Sequence, residues 1–104
     1  MNFDFEKSFV KDFKKLKSKA LANAISEAIK QVSEASATND IINLKKLSGY
    51  KSAFRIRIGD YRIGVIIENN TVLFVAFAHR KDIYKRFPWS SLVRSPFVII
   101  RLNL

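Results

Sequence analysis

The sequence runs to 104 residues and carries nineteen Lys and Arg against nine Asp and Glu, a formal charge of +10. That length suits a single hydrophobic core and is too short for two, while 48% hydrophobic residues, nine of the total being Phe, exclude global disorder. So large an excess of cations destabilises a small protein by self-repulsion; a polyanion or an acidic protein is the natural partner, and a merely soluble basic surface is the competing account.

Cysteine is absent, which removes disulfide frameworks, thiol nucleophiles and thiolate metal sites. The first residues, MNFDFEKSF, carry acidic groups and lack the apolar core of a secretory signal. No uncharged apolar run approaches the roughly 18 residues that cross a bilayer. The expected location is cytoplasmic, without a membrane partner.

Asn2 to Phe5 alternates polar and apolar and reads as a strand that joins a later sheet. Ser8 stands where a helix N-cap is expected, ahead of Phe9, Val10, Phe13 and Leu16 at helical spacing, with Lys11, Lys14, Lys15 and Lys17 mainly on the opposite face. A second, stronger helix runs from Lys19 to about Ala35, because Leu21, Ala24, Ile25, Ala28, Ile29 and Val32 keep one stripe. The two helices meet near Ser18, which predicts a helical hairpin lying on one face of a sheet. Ser36 to Asp40 is a small polar connector. From Ile41 to Leu47 apolar residues interleave with Lys45 and Lys46, consistent with either a short helix or an extended segment, and Gly49 breaks the run.

The stretch FRIRIGDYRIGVIIENNTVLFVAFAHRKDIYKR, residues 54–86, predicts three strands joined by two tight turns. Phe54, Ile56 and Ile58 alternate with Arg55 and Arg57, so both arginines face away from the apolar set. Gly59 and Asp60 form the first turn, Tyr61 to Ile67 the next strand, Glu68 to Asn70 the second turn, and Thr71 to Ala78 a strongly apolar strand. After Pro88 the composition changes, and PFVIIRLNL reads as a strand or an apolar tail. We therefore expect an α+β fold, a single domain over residues 1–104 in which 88–104 is a C-terminal extension.

Such a sheet gathers Arg55, Arg57, Arg62 and Arg80 with His79 and Tyr84, and Lys45, Lys46, Lys51 and Lys81 extend the positive field. Arginine holds phosphate in a planar fork and stays charged at any working pH, so this set can bind a nucleic-acid backbone and stabilise charge on a pentacoordinate phosphorus without a metal. Arginines on a solvated sheet face are the plain alternative. His79, the sole histidine, is the obvious acid or base, although a lone histidine at a strand end is more often structural. Tyr84 can stack on a base, orient a phosphate or plug the core edge. Arg80 and Tyr84, four apart, point the same way if their stretch is helical. One histidine without a carboxylate at ligand spacing argues against a metal site, and nothing in the chain asks for a cofactor.

The pairing of FRIRIGDYRIGVII with VAFAHRKDIYKRFP, in this order of elements, resembles the RelE/ParE superfamily of toxins from type II toxin-antitoxin systems, with the similarity running from about Phe3 to Pro88. The resemblance implies a helical hairpin packed on a small antiparallel sheet, similar in outline to microbial ribonucleases. RelE-like members are mRNA interferases that enter the ribosomal A site and cut the message through attack by the adjacent 2′-hydroxyl. On that resemblance Arg55 and Arg57 lie near the family's basic strand residues, Arg62 matches the arginine of its Y-R pair, Arg80 matches the arginine closing the last strand, and Tyr84 matches the tyrosine that follows. Arg57, Arg62, His79, Arg80 and Tyr84 are thus the expected catalytic set, with Lys45, Lys46, Lys51, Arg55 and Lys81 contacting RNA. RelE has lysines before the Y-R pair where this chain has arginines, which cannot exchange a proton, so the base shifts to His79, Lys51 or the Lys45–Lys46 pair. The implied partners are mRNA, the ribosome and a cognate antitoxin whose acidic amphipathic segment covers the arginine face. A ParE-like toxin acting on DNA gyrase without nuclease chemistry, and a basic RNA-binding module, are the alternatives.

Overall fold

The computed structural model describes residues 1–88. Five strands form one sheet: β1 (Asn2–Phe5), β2 (Leu44–Lys46), β3 (Ala53–Ile58), β4 (Tyr61–Glu68) and β5 (Thr71–His79), in the order β1-β5-β4-β3-β2. β2 through β5 pair antiparallel as a meander, and β1 lies parallel to β5. The sheet and its helices make the α+β fold that the periodicities predict. The strand or tail read at 96–104 lies outside the described residues.

Both hairpin turns follow from local chemistry. Gly59 adopts φ 57°, and Asn69 and Asn70 adopt φ 52° and 59°, the left-handed region that glycine and asparagine enter most readily. The segment left open between helix and strand is extended: Leu44 to Lys46 forms the edge strand β2, since pairing with Phe54–Ile56 satisfies its backbone and turns Leu44 inward.

Helices α1 (Lys7–Lys14) and α2 (Lys19–Glu34) cover one face. Ser18 caps α2, its side chain accepting the Leu21 N–H at 3.2 Å. Ser8, expected as the cap of α1, instead lies inside its first turn. β1 ends at Phe5, so the chain turns into the helix at once and Glu6 takes the capping position. Freed from that task, the Ser8 hydroxyl donates to the Val75 carbonyl on β5. Asp40 closes the connector by accepting from the N–H groups of Ser36 and Ala37.

The helix-side core joins Phe9, Ile25 and Val32 to Ile56, Ile63, Val65, Phe74 and Phe77 of the sheet. A second core on the opposite face holds Ala53, Ile66, Leu73, Val75 and Ala76 under Ile83 and Phe87 of a short helix, α3 (Ile83–Arg86), and the residue after it. Both faces of β5 are therefore covered, which accounts for its unbroken apolar composition. Within it β5 carries a bulge. Gly64 pairs with Ala76 and Val65 with Phe74, leaving Val75 as the extra residue. Val72 and Phe74 face the helices before the bulge, and Phe77 faces them after it. The bulge thus inverts the inward parity of every residue that follows.

Candidate nucleic-acid interface

On the sheet face turned away from the hairpin, strand register lines up two transverse rows. One consists of Lys45, Arg55, Gly64 and Ala76; the next of Arg57, Arg62 and Ala78. The cations lie on β2, β3 and one position of β4, and the small residues on β5 and the other position of β4. Phe87, fully buried, lies over Gly64: a Cβ there would stand 2.5 Å from its Cγ and 2.9 Å from its Cδ1. The glycine is therefore the seat of the residue that holds α3 on the sheet.

Arg57 and Arg62 are direct cross-strand neighbours, a like-charge arrangement that weakens the pairing. Among the described residues no carboxylate forms an ion pair with either one. The Arg62 guanidinium folds back on the first hairpin turn, donating to the carbonyls of Gly59 (2.8 Å) and Tyr61 (3.0 Å). Arg80 reaches the same turn: its N–H donates to the Asp60 carbonyl at 2.7 Å, and its Nε lies 3.9 Å from Asp60 Oδ1. That ion pair is largely exposed and contributes little stability, but the backbone bond fixes the base of Arg80 beside the turn. Arg55 donates to the Asn43 carbonyl at 2.8 Å, where Asn43 takes φ 65° ahead of β2.

Tyr84 projects from α3 half exposed (51%) and lines a cleft of about 340 Å³ with Lys45, Lys46, Leu47, Ser48, Gly49 and Tyr50. Two tyrosine rings and two lysines in one open cleft suit a nucleotide, since the rings can stack a base while an ammonium meets its phosphate. Tyr50 was not among the residues singled out from sequence, and its only local signal is the preceding Gly49, which takes φ 84° and turns the chain back. The sequence expectation that Arg80 and Tyr84 share a helical face fails: 80–82 are turn residues and the helix starts at Ile83. Arg80 is drawn to the β3–β4 turn, whereas Tyr84 faces the β2–β3 connection.

His79 does not join the arginines. Its partner across the ladder is Tyr61, and its ring lies 5.4 Å edge-on from that of Tyr61, which itself stacks on Phe77 at 5.2 Å. Phe77 and Tyr61 belong to the helix-side core, so His79 stands at the border of that face, the one opposite Arg57 and Arg62. The Val75 bulge is the physical cause, because strict alternation from Val72 would have sent residue 79 to the arginine face. His79 Nδ1 also accepts the Lys81 N–H at 3.1 Å, which leaves the ring proton on Nε2. Lys81 is an exposed turn residue, and Lys51 lies exposed in the bend before β3. Among the described residues no cluster of three or more His, Asp or Glu is arranged to hold a metal, and no helix is long and apolar enough to cross a membrane.

A hairpin of helices on one face of a meander sheet, with arginines on the other face and a tyrosine-bearing helix beside them, defines a class of small basic α+β proteins. A family model described as the ParE toxin of type II toxin-antitoxin system, parDE, matches residues 3–84. The chain is 38% identical over 85 residues to Toxin RelE3 of Methanocaldococcus jannaschii, spanning 81% of this chain and 96% of that protein. It superposes on a chain of the RelB-RelE antitoxin-toxin complex from Methanococcus jannaschii with a TM-score of 0.68 at 36% identity, over 81% of this chain and 98% of that one. A chain of the RelE-RelB complex from Pyrococcus horikoshii, at 20% identity, shares the fold with a TM-score of 0.63 over 79% and 97% of the two chains. This chain belongs to the RelE/ParE superfamily of type II toxin-antitoxin toxins.

Proposed function

We propose that the toxin acts as a ribosome-dependent mRNA endonuclease, using the arginine face and the Tyr84 cleft as one continuous site. The observation that carries this reading is the Arg57–Arg62 pair: two opposed cations without a carboxylate ion partner among the described residues, a pairing that costs stability unless an anion joins it. A phosphodiester supplies that anion. Arg57, Arg62 and Arg80 would meet the extra negative charge as the 2′-hydroxyl, losing its proton, attacks phosphorus and the bond to the 5′-oxygen breaks, leaving a 2′,3′-cyclic phosphate and a protonated 5′-hydroxyl, and Arg55 would hold the neighbouring phosphate. Lys45 adjoins Arg55 in the ladder and lines the cleft with Tyr84, which makes it the proton-exchanging group of this reading. Tyr84 would stack on or orient the nucleotide beside the cut. His79 has its Nδ1 engaged and its ring against Tyr61, which argues for a structural role.

The partner we infer is a cognate antitoxin whose acidic segment masks the same cations, so that toxin and antitoxin form a hetero-oligomer. The +10 charge and the relatives crystallised as RelB-RelE complexes support this. A ParE-like action on DNA gyrase is the second reading, favoured by the family model's own description and by arginines on β3 in place of proton-exchanging lysines. Arg62→Ala and Arg80→Ala test the first reading. Each removes one preorganised donor and should lower cleavage by about 100-fold to 1000-fold, abolishing growth arrest while leaving the fold intact. If both variants still arrest growth, the arginine face is not the site. Loss of translated mRNA with intact chromosomes in arrested cells supports the ribosome, and DNA breaks with filamentation support gyrase.

A further inference from the structure

β1 pairs with β5 only as far as Phe74, and among the described residues no strand lies beside the outer edge of β5 beyond that point. Side chains bond that edge instead. Ser8 donates to the Val75 carbonyl; the Phe77 N–H donates to Asp12 Oδ2 at 3.1 Å; and the Phe77 carbonyl accepts from Arg86 Nη1 at 3.5 Å. Arg86 Nη2 then closes the arrangement on the Asp12 carboxylate, at 3.1 Å from Oδ1 and 2.9 Å from Oδ2. Asp12 is only 13% exposed and Arg86 43%, so this pair is better shielded than the two other ion pairs among the described residues. Its members come from α1 and α3, 74 residues apart in sequence, and both are anchored on the same residue of β5. A satisfied carboxylate that accepts a backbone N–H and a charged guanidinium nitrogen shared between both its oxygens has little freedom to move.

We propose that Asp12 and Arg86 are positioning residues, a strap along the β5 edge beyond β1 that fixes the rotation of α3 and thereby the place of Tyr84 over the Lys45 cleft. α3 is a single turn of four residues, too short to hold its own orientation. Phe87 over Gly64 anchors its far end and Ile83 its start, both by apolar contact, which resists lifting more than rotation. The strap supplies the directional contact. Its functional consequence rests on the RNA-cleaving reading above; its structural consequence does not.

The test is a set of variants of the full chain: Asp12→Ala, Arg86→Ala, Arg86→Lys, Tyr84→Ala and the double variant Arg86→Ala with Tyr84→Ala. Cleavage is assayed on ribosomes programmed with a defined mRNA. Asp12→Ala and Arg86→Ala should each lower kcat by about 10-fold to 100-fold, the scale of a misplacement near 1 Å, with KM within about 3-fold because the arginines that bind RNA stay in place. Arg86→Lys, which keeps the charge but not the fork, should recover part of kcat. The double variant should be no slower than Tyr84→Ala alone, since the strap acts only through that tyrosine. A kcat for Arg86→Ala within 2-fold of wild type, or losses that multiply in the double variant, overturns the proposal. Should Arg86→Ala fail to fold, Arg86→Lys and Asp12→Asn carry the same comparison. In parallel, amide exchange of Phe77 should quicken and the Tyr84 ring resonances should shift in Arg86→Ala. If wild type cleaves no RNA the functional reading falls, and these two signals still decide the strap: unchanged, they refute it.

Discussion

Replacing Gly64 with alanine adds one methyl group where the structure has no room. The new Cβ would meet Phe87 at 2.5 Å from Cγ and 2.9 Å from Cδ1, against the roughly 3.5–4.0 Å at which carbons pack, so about 1 Å of movement is needed. β4 cannot supply it, because Gly64 is held by Arg55 on one side and Ala76 on the other. The ring must shift, and Phe87 is fully buried. Overpacking of this kind costs about 1–3 kcal/mol, while losing the ring altogether, as in Phe87→Ala, costs about 3–5 kcal/mol. We expect Gly64→Ala to destabilise the chain by about 2 kcal/mol in urea unfolding followed by circular dichroism, with an unchanged m-value. The double variant with Phe87→Ala should match Phe87→Ala alone, since the methyl then enters vacated space, giving a coupling of about 2 kcal/mol. A Gly64→Ala variant within about 0.5 kcal/mol of wild type, or strictly additive changes, would refute the claim that this glycine is the seat of Phe87.

Arg57→Thr removes one member of the opposed arginine pair while keeping a strand-forming residue, so it should stabilise the fold by roughly 0.2–1 kcal/mol and at the same time weaken RNA cleavage; a thermal melt and a cleavage assay moving in the same direction would show the pair is not held apart for an anion. Ser18→Ala deletes the cap on the Leu21 N–H and should cost about 1 kcal/mol in denaturant unfolding without altering cleavage.

The meander was readable because its strands advertise themselves differently. β3 alternates arginine with apolar residues, and both turns contain Gly or Asn at positions that adopt positive φ. α2 was readable from its stripe and from Ser18. The face of His79 was not, for a specific reason: a bulge shows in sequence only where it disturbs an alternating pattern, and β5 is apolar on both faces, so the extra Val75 leaves no trace. Arg55, Arg57 and Arg62 precede or avoid the bulge, and their shared face follows from β3 and β4 alone. The strap was equally hidden. Asp12 sits among lysines on a helix that reads as an ordinary charged surface, and only the tertiary path of the chain brings Arg86 to it. Tyr50 gave no pattern because it belongs to a connection.

The parallel pairing of β1 with β5 also sets an order of events in the cell. β1 and both helices leave the ribosome first, but the strand they pack against is the last of the sheet to appear, and it must enter between β1 and β4. Contacts between such distant segments form late, after the loop between them has closed. A nascent chain stopped anywhere before β5 has neither a finished core nor the Ala76–Ala78 floor between its arginines and α3. For a protein that harms the cell making it, this topology withholds the assembled cationic face until nearly all of the described chain has been synthesised.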